Sequence, residues 1–270
     1  MLNKPVVLLW CMMMDWLVPY LLWISLFLLL VSAQTKKSLI AVPGWVLFGF
    51  FWLGQPGHYL ASEDYFNAAL ALAAALLSFY MSWIVLRRGF SSQACAWASY
   101  AAAVCGIVYF PFAEVEPLRT ALIEFTALIT AETLQFFSVP VIMESWNTMA
   151  LNGRSVEIIL ACTAIESIAL FAGVILSLQV PFGRKLTALA FSTIAIYGLN
   201  IVRNGFVLMA YGWNWFGSDS FNIAHNVIAK AGSTIAILAI SYFVFLILPE
   251  LLSIIDELAT EIRHPGRDVA

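Results

Sequence analysis

The sequence predicts an all-α membrane protein of about seven transmembrane helices, with its N-terminus outside, and three observations predict it. Hydrophobic residues make up 62% of the 270-residue chain and charged ones 11%, too little charge to cover a soluble domain of that size. Apolar stretches recur at membrane-crossing length. Lys and Arg gather in alternate connecting segments, as they do in cytoplasmic loops.

A span needs about 20 mostly apolar residues. The segments that qualify are 6–31, 39–53, 68–86, 95–112, 158–178, 186–211 and 227–248, the second and fourth being short or proline-bounded. Lys4 before the first run and Val31-Ser32-Ala33 after it imitate a secretory signal. The run is longer than the roughly 7–15 residues of a signal's apolar region, so it reads as a retained span.

Orientation follows from the basic residues. Lys36 and Lys37 follow span one, Arg87 and Arg88 span three, Arg184 and Lys185 span five, and Arg263 and Arg267 span seven. The opposite connections, 55–66 and 212–224, lack Lys and Arg but carry Glu63, Asp64 and Asp219. The N-terminus is therefore expected outside and the C-terminus in the cytoplasm. The net charge of -3 is uninformative, and with no basic tract or zinc-finger spacing nucleic acid is not an expected partner.

The chain reads as one polytopic domain, 1–270, in four parts. Residues 1–112 hold four helices and 158–248 three more, which carry the candidate chemistry. Between them, 113–157 is an excursion on the outer face. Its first half, 118–137, carries Arg119, Glu124, Glu132 and Gln135 and reads as one or two amphipathic helices at the interface or packed on the bundle. An eighth span there would put Arg184 and Lys185 outside, against the charge rule. Asn152-Gly153 is a hairpin turn signal, so a small outer β-hairpin is expected before span five. The tail, 249–270, reads as a short amphipathic helix and an end on the cytoplasmic side.

The four cysteines lie in apolar stretches without a CxxC pair, and Cys11, Cys95 and Cys105 read as small buried hydrophobes. Polar groups in hydrocarbon need a reason, since an Arg at a helix centre costs roughly 2.5–3.5 kcal/mol on the insertion scale. Span five runs inward, placing Cys162 about one turn below the outer surface; span six returns, placing Arg203 about two turns below it. His225 stands at the mouth of span seven. Glu166, four residues after Cys162, is expected on the same helical face. Thr193, Tyr197, Asn200 and Arg203 or Asn204 form a polar stripe on span six, and Asn222, Asn226 and Lys230 surround His225.

A cysteine acts as its thiolate, of which a free thiol with pKa near 8.5 holds only a few per cent at neutral pH. His225 is placed to take the proton. Arg203 could favour the anion, hold an oxyanion or substrate carboxylate, or pair with Glu166. Trp213 and Trp215 read as an interfacial aromatic belt, and His58 and His264 as loop and tail residues. Three histidines on separate segments lack metal-ligand spacing, so neither metal nor cofactor is expected.

The segments Ala161-Cys162-Thr163-Ala164-Ile165-Glu166-Ser167, Leu199-Asn200-Ile201-Val202-Arg203-Asn204 and Ala224-His225-Asn226 together resemble the exosortase/archaeosortase family, over about residues 149–248. The resemblance implies a membrane transpeptidase. Such an enzyme cuts exported proteins near a C-terminal sorting signal of motif, transmembrane helix and basic tail, and by analogy joins the new carboxyl end to a membrane lipid. It further implies Cys162 as nucleophile, Arg203 as the group that stabilises the intermediate or aligns the thiol, and His225 as base. Asn200, Asn204 and Glu166 are supporting residues. The site is expected at the extracytoplasmic face of the cell membrane. The competing class is a transporter or channel using Arg203, Glu166 and His225 for anions or protons; no inverted repeat or paired broken helices favours it.

Overall fold

The computed structural model describes residues 4–61, 64–90 and 93–263, with side chains from Pro19 onward apart from those of His58 and Phe66. Expectations for Glu63, His264 and Arg267, and for the side chains of Cys11 and His58, lie outside the described residues. The chain is mostly helical. In order it forms α1 (Lys4–Thr35), α2 (Ser38–Gly54), α3 (Pro56–Ala61), α4 (Tyr65–Arg88), α5 (Gln93–Glu114) and α6 (Glu116–Phe136). Strands β1 (Ile142–Met143), β2 (Thr148–Leu151) and β3 (Arg154–Glu157) follow, then a 3-10 turn at Leu160–Cys162. After α7 (Ile165–Leu176) and α8 (Phe182–Gly212) come a 3-10 turn at Gly217–Asp219, α9 (Ser220–Asn222) and a π-helical stretch at Ile223–Ala229. The last elements are α10 (Lys230–Ile247) and α11 (Pro249–Arg263).

Among the described residues, five helical stretches are long and apolar enough to cross a membrane: Ser38–Ala61, Asn67–Arg88, Gln93–Glu114, Phe182–Gly212 and Gly217–Ile247. They match the second, third, fourth, sixth and seventh spans read from the sequence. Pro19–Thr35 and Ile165–Leu176 are shorter apolar helices. Large apolar side chains stay outside the protein core on these helices, among them Phe27, Leu39, Leu76, Ile194, Val202 and Ile235. Surface of that kind suits an apolar surrounding rather than water.

The chain divides into two compact units, Met1–Ile107 with Leu251–Ala270, and Val108–Glu250. In the first, α1 packs on α2 and α2 on α4. Leu29, Trp45, Ile84, Val85 and Cys95 form its core, joined by Leu258 and Ile262 of α11. Small residues allow this closeness, as expected where helices meet in lipid. A Cβ on Gly106 would stand 2.5 Å from a methyl of Leu26. The Trp45 indole donates to the Ser99 hydroxyl at 3.0 Å, which itself donates to the Cys95 carbonyl at 2.9 Å. Fully buried Cys95 and half-buried Cys105 sit as the small packing residues expected of them. The α11 helix bears out the amphipathic reading of the tail: Arg88 pairs with buried Glu261, and the Tyr80 hydroxyl donates to the Ile262 carbonyl at 2.8 Å.

In the second unit, α6 is a single helix that lays Ile123, Ala127, Ala131 and Leu134 into a core shared with Met149, Leu151, Val156 and Leu208. Those α6 positions fall on one helical stripe. The Thr126 and Thr130 hydroxyls donate to carbonyls four residues back, satisfying buried donors within the helix. The Asn152-Gly153 hairpin is present: both residues have positive φ, 53° and 75°, as a two-residue type I′ turn requires. Strand β1 adds to it on the far side of β2, making an antiparallel sheet of order β1-β2-β3. The sheet docks on the end of α8 at Gly212, where a Cβ would come within 2.6 Å of Leu151 Cγ.

One sequence expectation fails here. Segment 158–178 is not one helix; only Ile165–Leu176 is α-helical. The extended backbone of β3 runs on to Ile158, whose N–H donates to the Asn147 carbonyl at 2.8 Å. The chain then turns through Leu160–Cys162, and Ala164 at φ 61° redirects it before α7 begins. An alanine in that region costs about 1–2 kcal/mol, so the surrounding contacts must hold the bend.

Candidate active site

The bend that interrupts span five is the centre of the site. Asn147 fixes its entrance: buried, its side-chain amide donates to Glu157 Oε1 at 3.0 Å and to the Ile158 carbonyl at 3.2 Å. Its own Oδ1 accepts from the Ser145 and Thr148 hydroxyls. Within the bend the Cys162 N–H donates to the Ile159 carbonyl at 2.8 Å, and the buried Thr163 hydroxyl donates to Leu160 at 2.7 Å. The turn is thus closed by its own hydrogen bonds.

From α8, two side chains reach the same main-chain atom. Asn200 Nδ2 donates to the Cys162 carbonyl at 2.7 Å, and Asn204 Nδ2 to the same oxygen at 2.9 Å. The two asparagines are one helical turn apart on α8, so a single face grips the turn. Arg203 joins this grip, its Nη1 donating to Asn204 Oδ1 at 3.2 Å. The polar stripe read from the sequence therefore faces protein, and its upper end braces Cys162. Lower on the stripe, Tyr197 meets Thr126 of α6 through their hydroxyls and stacks on Phe125. Half-buried Cys162 packs against the core of this unit.

Glu166 lies elsewhere than expected. Cys162 belongs to the 3-10 turn and Glu166 to the first turn of α7, with Ala164 breaking the helical register between them. The shared helical face does not exist, and among the described residues no ion pair joins Glu166 to Arg203. Glu166 is exposed, and of the roles open to Arg203 in the sequence, pairing with Glu166 is not the one seen.

His225 lies within the π-helical stretch, which packs against α8. Its i→i+5 bonding widens the helix, a local feature common at functional positions. Phe221 stacks on the His225 ring with centroids 5.3 Å apart and planes 6° from parallel. Asn226 and Asn222, expected near His225, bond to each other at 2.8 Å. Trp213 and Trp215 stack as an exposed pair. Among the described residues no group of His, Cys, Asp and Glu is placed to hold a metal.

The thiol-bearing turn, the arginine-bearing face of α8 that grips it and the histidine-bearing π-helical stretch packed on α8 fall in a stretch with known relatives. A profile described as transmembrane exosortase matches residues 15–241. The chain belongs to the transmembrane exosortase family. It is 30% identical over 254 residues to Archaeosortase A of Haloferax volcanii, covering 81% of this chain and 83% of that protein. It is 28% identical over 298 residues to Archaeosortase A of Natronomonas pharaonis, covering 93% and 94%. No solved structure matches.

Membership in the exosortase family reaches further than the three quoted segments, since the matched stretch begins at residue 15 and takes in the N-terminal helices. It makes the chain a membrane protein. Two site features escaped the sequence reading. Asn147 drew no reading of its own; its signal was Ser145, Asn147 and Thr148 grouped between apolar strands, the composition of a side-chain-stabilised turn. The aromatic contact of Phe221 with His225 had only their spacing of four as a signal, and in a π-helical stretch that spacing does not by itself bring two rings together.

Proposed function

We propose that this protein is a cysteine transpeptidase or peptidase of the membrane, trimming exported proteins at a C-terminal signal of motif, transmembrane helix and basic tail. The two relatives' name, Archaeosortase A, supports that class of activity. The single observation that carries the residue assignment is the double hydrogen bond from Asn200 and Asn204 to the Cys162 carbonyl, with Arg203 bonded to the same Asn204. A cysteine serving only to fill space has no need of a main-chain clamp built on an arginine-bearing helix.

In this reading the Cys162 thiol gives its proton to His225 and the thiolate attacks the scissile carbonyl carbon. Arg203 stabilises the resulting oxyanion, where its fixed donors suit oxygen. Collapse breaks the C–N bond, His225 returns the proton to the departing amine, and a thioester remains on Cys162. A lipid hydroxyl or amine, or water, then takes the acyl group and restores the thiol. Asn200 and Asn204 position the nucleophile's backbone. Seven spans with the N-terminus outside would put this chemistry at the outer leaflet, where a substrate helix enters sideways from lipid with its cleavage point at the interface.

The test co-expresses the protein with an exported substrate bearing such a signal and follows the substrate's intact mass. Wild type removes the C-terminal helix, and Cys162→Ala and Cys162→Ser leave it in place. Unchanged trimming by Cys162→Ala ends the assignment.

A further inference from the structure

A histidine that works as a base needs its ring held in one orientation, most often by a hydrogen bond to its second nitrogen. His225 lacks that device: among the described residues neither carboxylate nor carbonyl bonds to its ring. Its orientation comes instead from a chain of flat contacts. Phe221 lies parallel to it, 5.3 Å between centroids and 6° between planes. Tyr211, at the end of α8, meets Phe221 edge-on at 5.4 Å and 67°. The Arg154 guanidinium covers the Tyr211 ring at 5.0 Å, and its Nη1 donates to the Tyr211 carbonyl at 3.1 Å.

We propose that Phe221 is a positioning residue for His225, backed by Tyr211 and by Arg154 of the outer hairpin. The inference rests on the reading of His225 as the group that takes the Cys162 proton. Three things make the stack more than ordinary packing. The two rings are almost parallel, which sets the plane of the imidazole and keeps the stacking contact off its in-plane nitrogen lone pair and N–H. The π-helical stretch that carries His225 begins two residues after Phe221, so the backbone there does not by itself impose the usual i, i+4 geometry. The last support, Arg154, comes from β3, the strand that leads directly into the Cys162 turn. One short strand thus sets both the path to the nucleophile and the outer end of the stack that orients its base. The basic residues nearest in sequence and on the packed helix, Lys230 of α10 and Arg203 of α8, are left unchanged by the variants below.

Iodoacetamide alkylation of Cys162 tests this without a substrate, using full-length protein in detergent with Cys11, Cys95 and Cys105 replaced by alanine. The rate is measured from pH 5.5 to 9.5. Phe221→Leu keeps apolar volume but removes the flat face; Phe221→Tyr restores the face. We expect His225→Ala to move the alkylation profile to higher pH. Phe221→Leu should slow reaction at pH 7 by about two- to tenfold, the range corresponding to loss of an aromatic pair. Phe221→Tyr should follow wild type, and Phe221→Leu added to His225→Ala should change nothing further. If His225→Ala shifts the profile and Phe221→Leu does not, the positioning role is overturned while the base assignment stands. If His225→Ala leaves the profile unmoved, the base assignment fails and takes this inference with it. An additional loss from Phe221→Leu in the His225→Ala background shows an effect that does not pass through His225, and overturns it too. Unfolding temperature, measured in parallel, separates these effects from loss of fold.

Discussion

Asn200 and Cys162 are 38 positions apart in sequence and joined at 2.7 Å, the side-chain amide of one donating to the main-chain carbonyl of the other. Asn204 makes the same bond from one turn further along α8, at 2.9 Å. A carbonyl has two lone pairs, so both donors fit. The bonds also explain why two asparagines occupy buried positions on an apolar helix, where each unsatisfied amide would be costly.

Removing one donor leaves the carbonyl held by the other; removing both strands a buried acceptor at a cost of about 1–3 kcal/mol. Asn200→Ala and Asn204→Ala should each slow substrate trimming, and the double variant should lose more than the two single losses combined. Measuring all four proteins as a double-mutant cycle checks this. Simple additivity would mean that the two amides act separately.

Glu261 is buried at 4% exposure and paired with Arg88, itself 15% exposed. Breaking a fully buried pair costs about 3–5 kcal/mol; with Arg88 only part-buried, the loss expected here is smaller. Glu261→Ala should lower the unfolding temperature in detergent markedly, and Arg88→Met with Glu261→Leu should recover most of the loss. No shift in Glu261→Ala would show that α11 contributes little to its unit.

Glu250 offers a pH test. The Arg184 guanidinium bonded to its carboxylate holds Glu250 below the ordinary carboxylate value of 4.5. A depressed folded-state value means the ionised form favours folding. The contribution is complete above pH 4.5 and disappears as pH falls through the lower folded value. Wild type should be slightly more stable than Glu250→Gln at pH 7, the pair being solvent-accessible at 38% and 46% exposure, and the gap should close in acid. A gap that widens in acid would contradict the sign.

Much of this architecture was legible in the residues. Apolar run length marked the crossing helices, and Asn152-Gly153 marked the hairpin because few other residues accept positive φ in succession. The same logic failed at residues 158–178. Apolar composition cannot distinguish a helix from an extended strand and tight turn of equal hydrophobicity, and nothing in Ala164 announces a left-handed backbone. That single error carried Glu166 onto a face shared with Cys162. Cys162, Arg203 and His225 could be nominated because polar groups in apolar runs demand a reason. That Asn200 and Asn204 hold the Cys162 backbone is a long-range contact, invisible to spacing alone.

The proposed mechanism requires a covalent bond to form at Cys162. Purified wild-type protein, mixed with a substrate carrying motif, transmembrane helix and basic tail, then quenched in acid and digested, gives the direct measurement by peptide mass spectrometry. The Cys162 peptide should carry the mass of the upstream substrate fragment, released by hydroxylamine as a thioester must be. Cleavage that proceeds while every Cys162 peptide retains an unmodified, alkylatable thiol would contradict it.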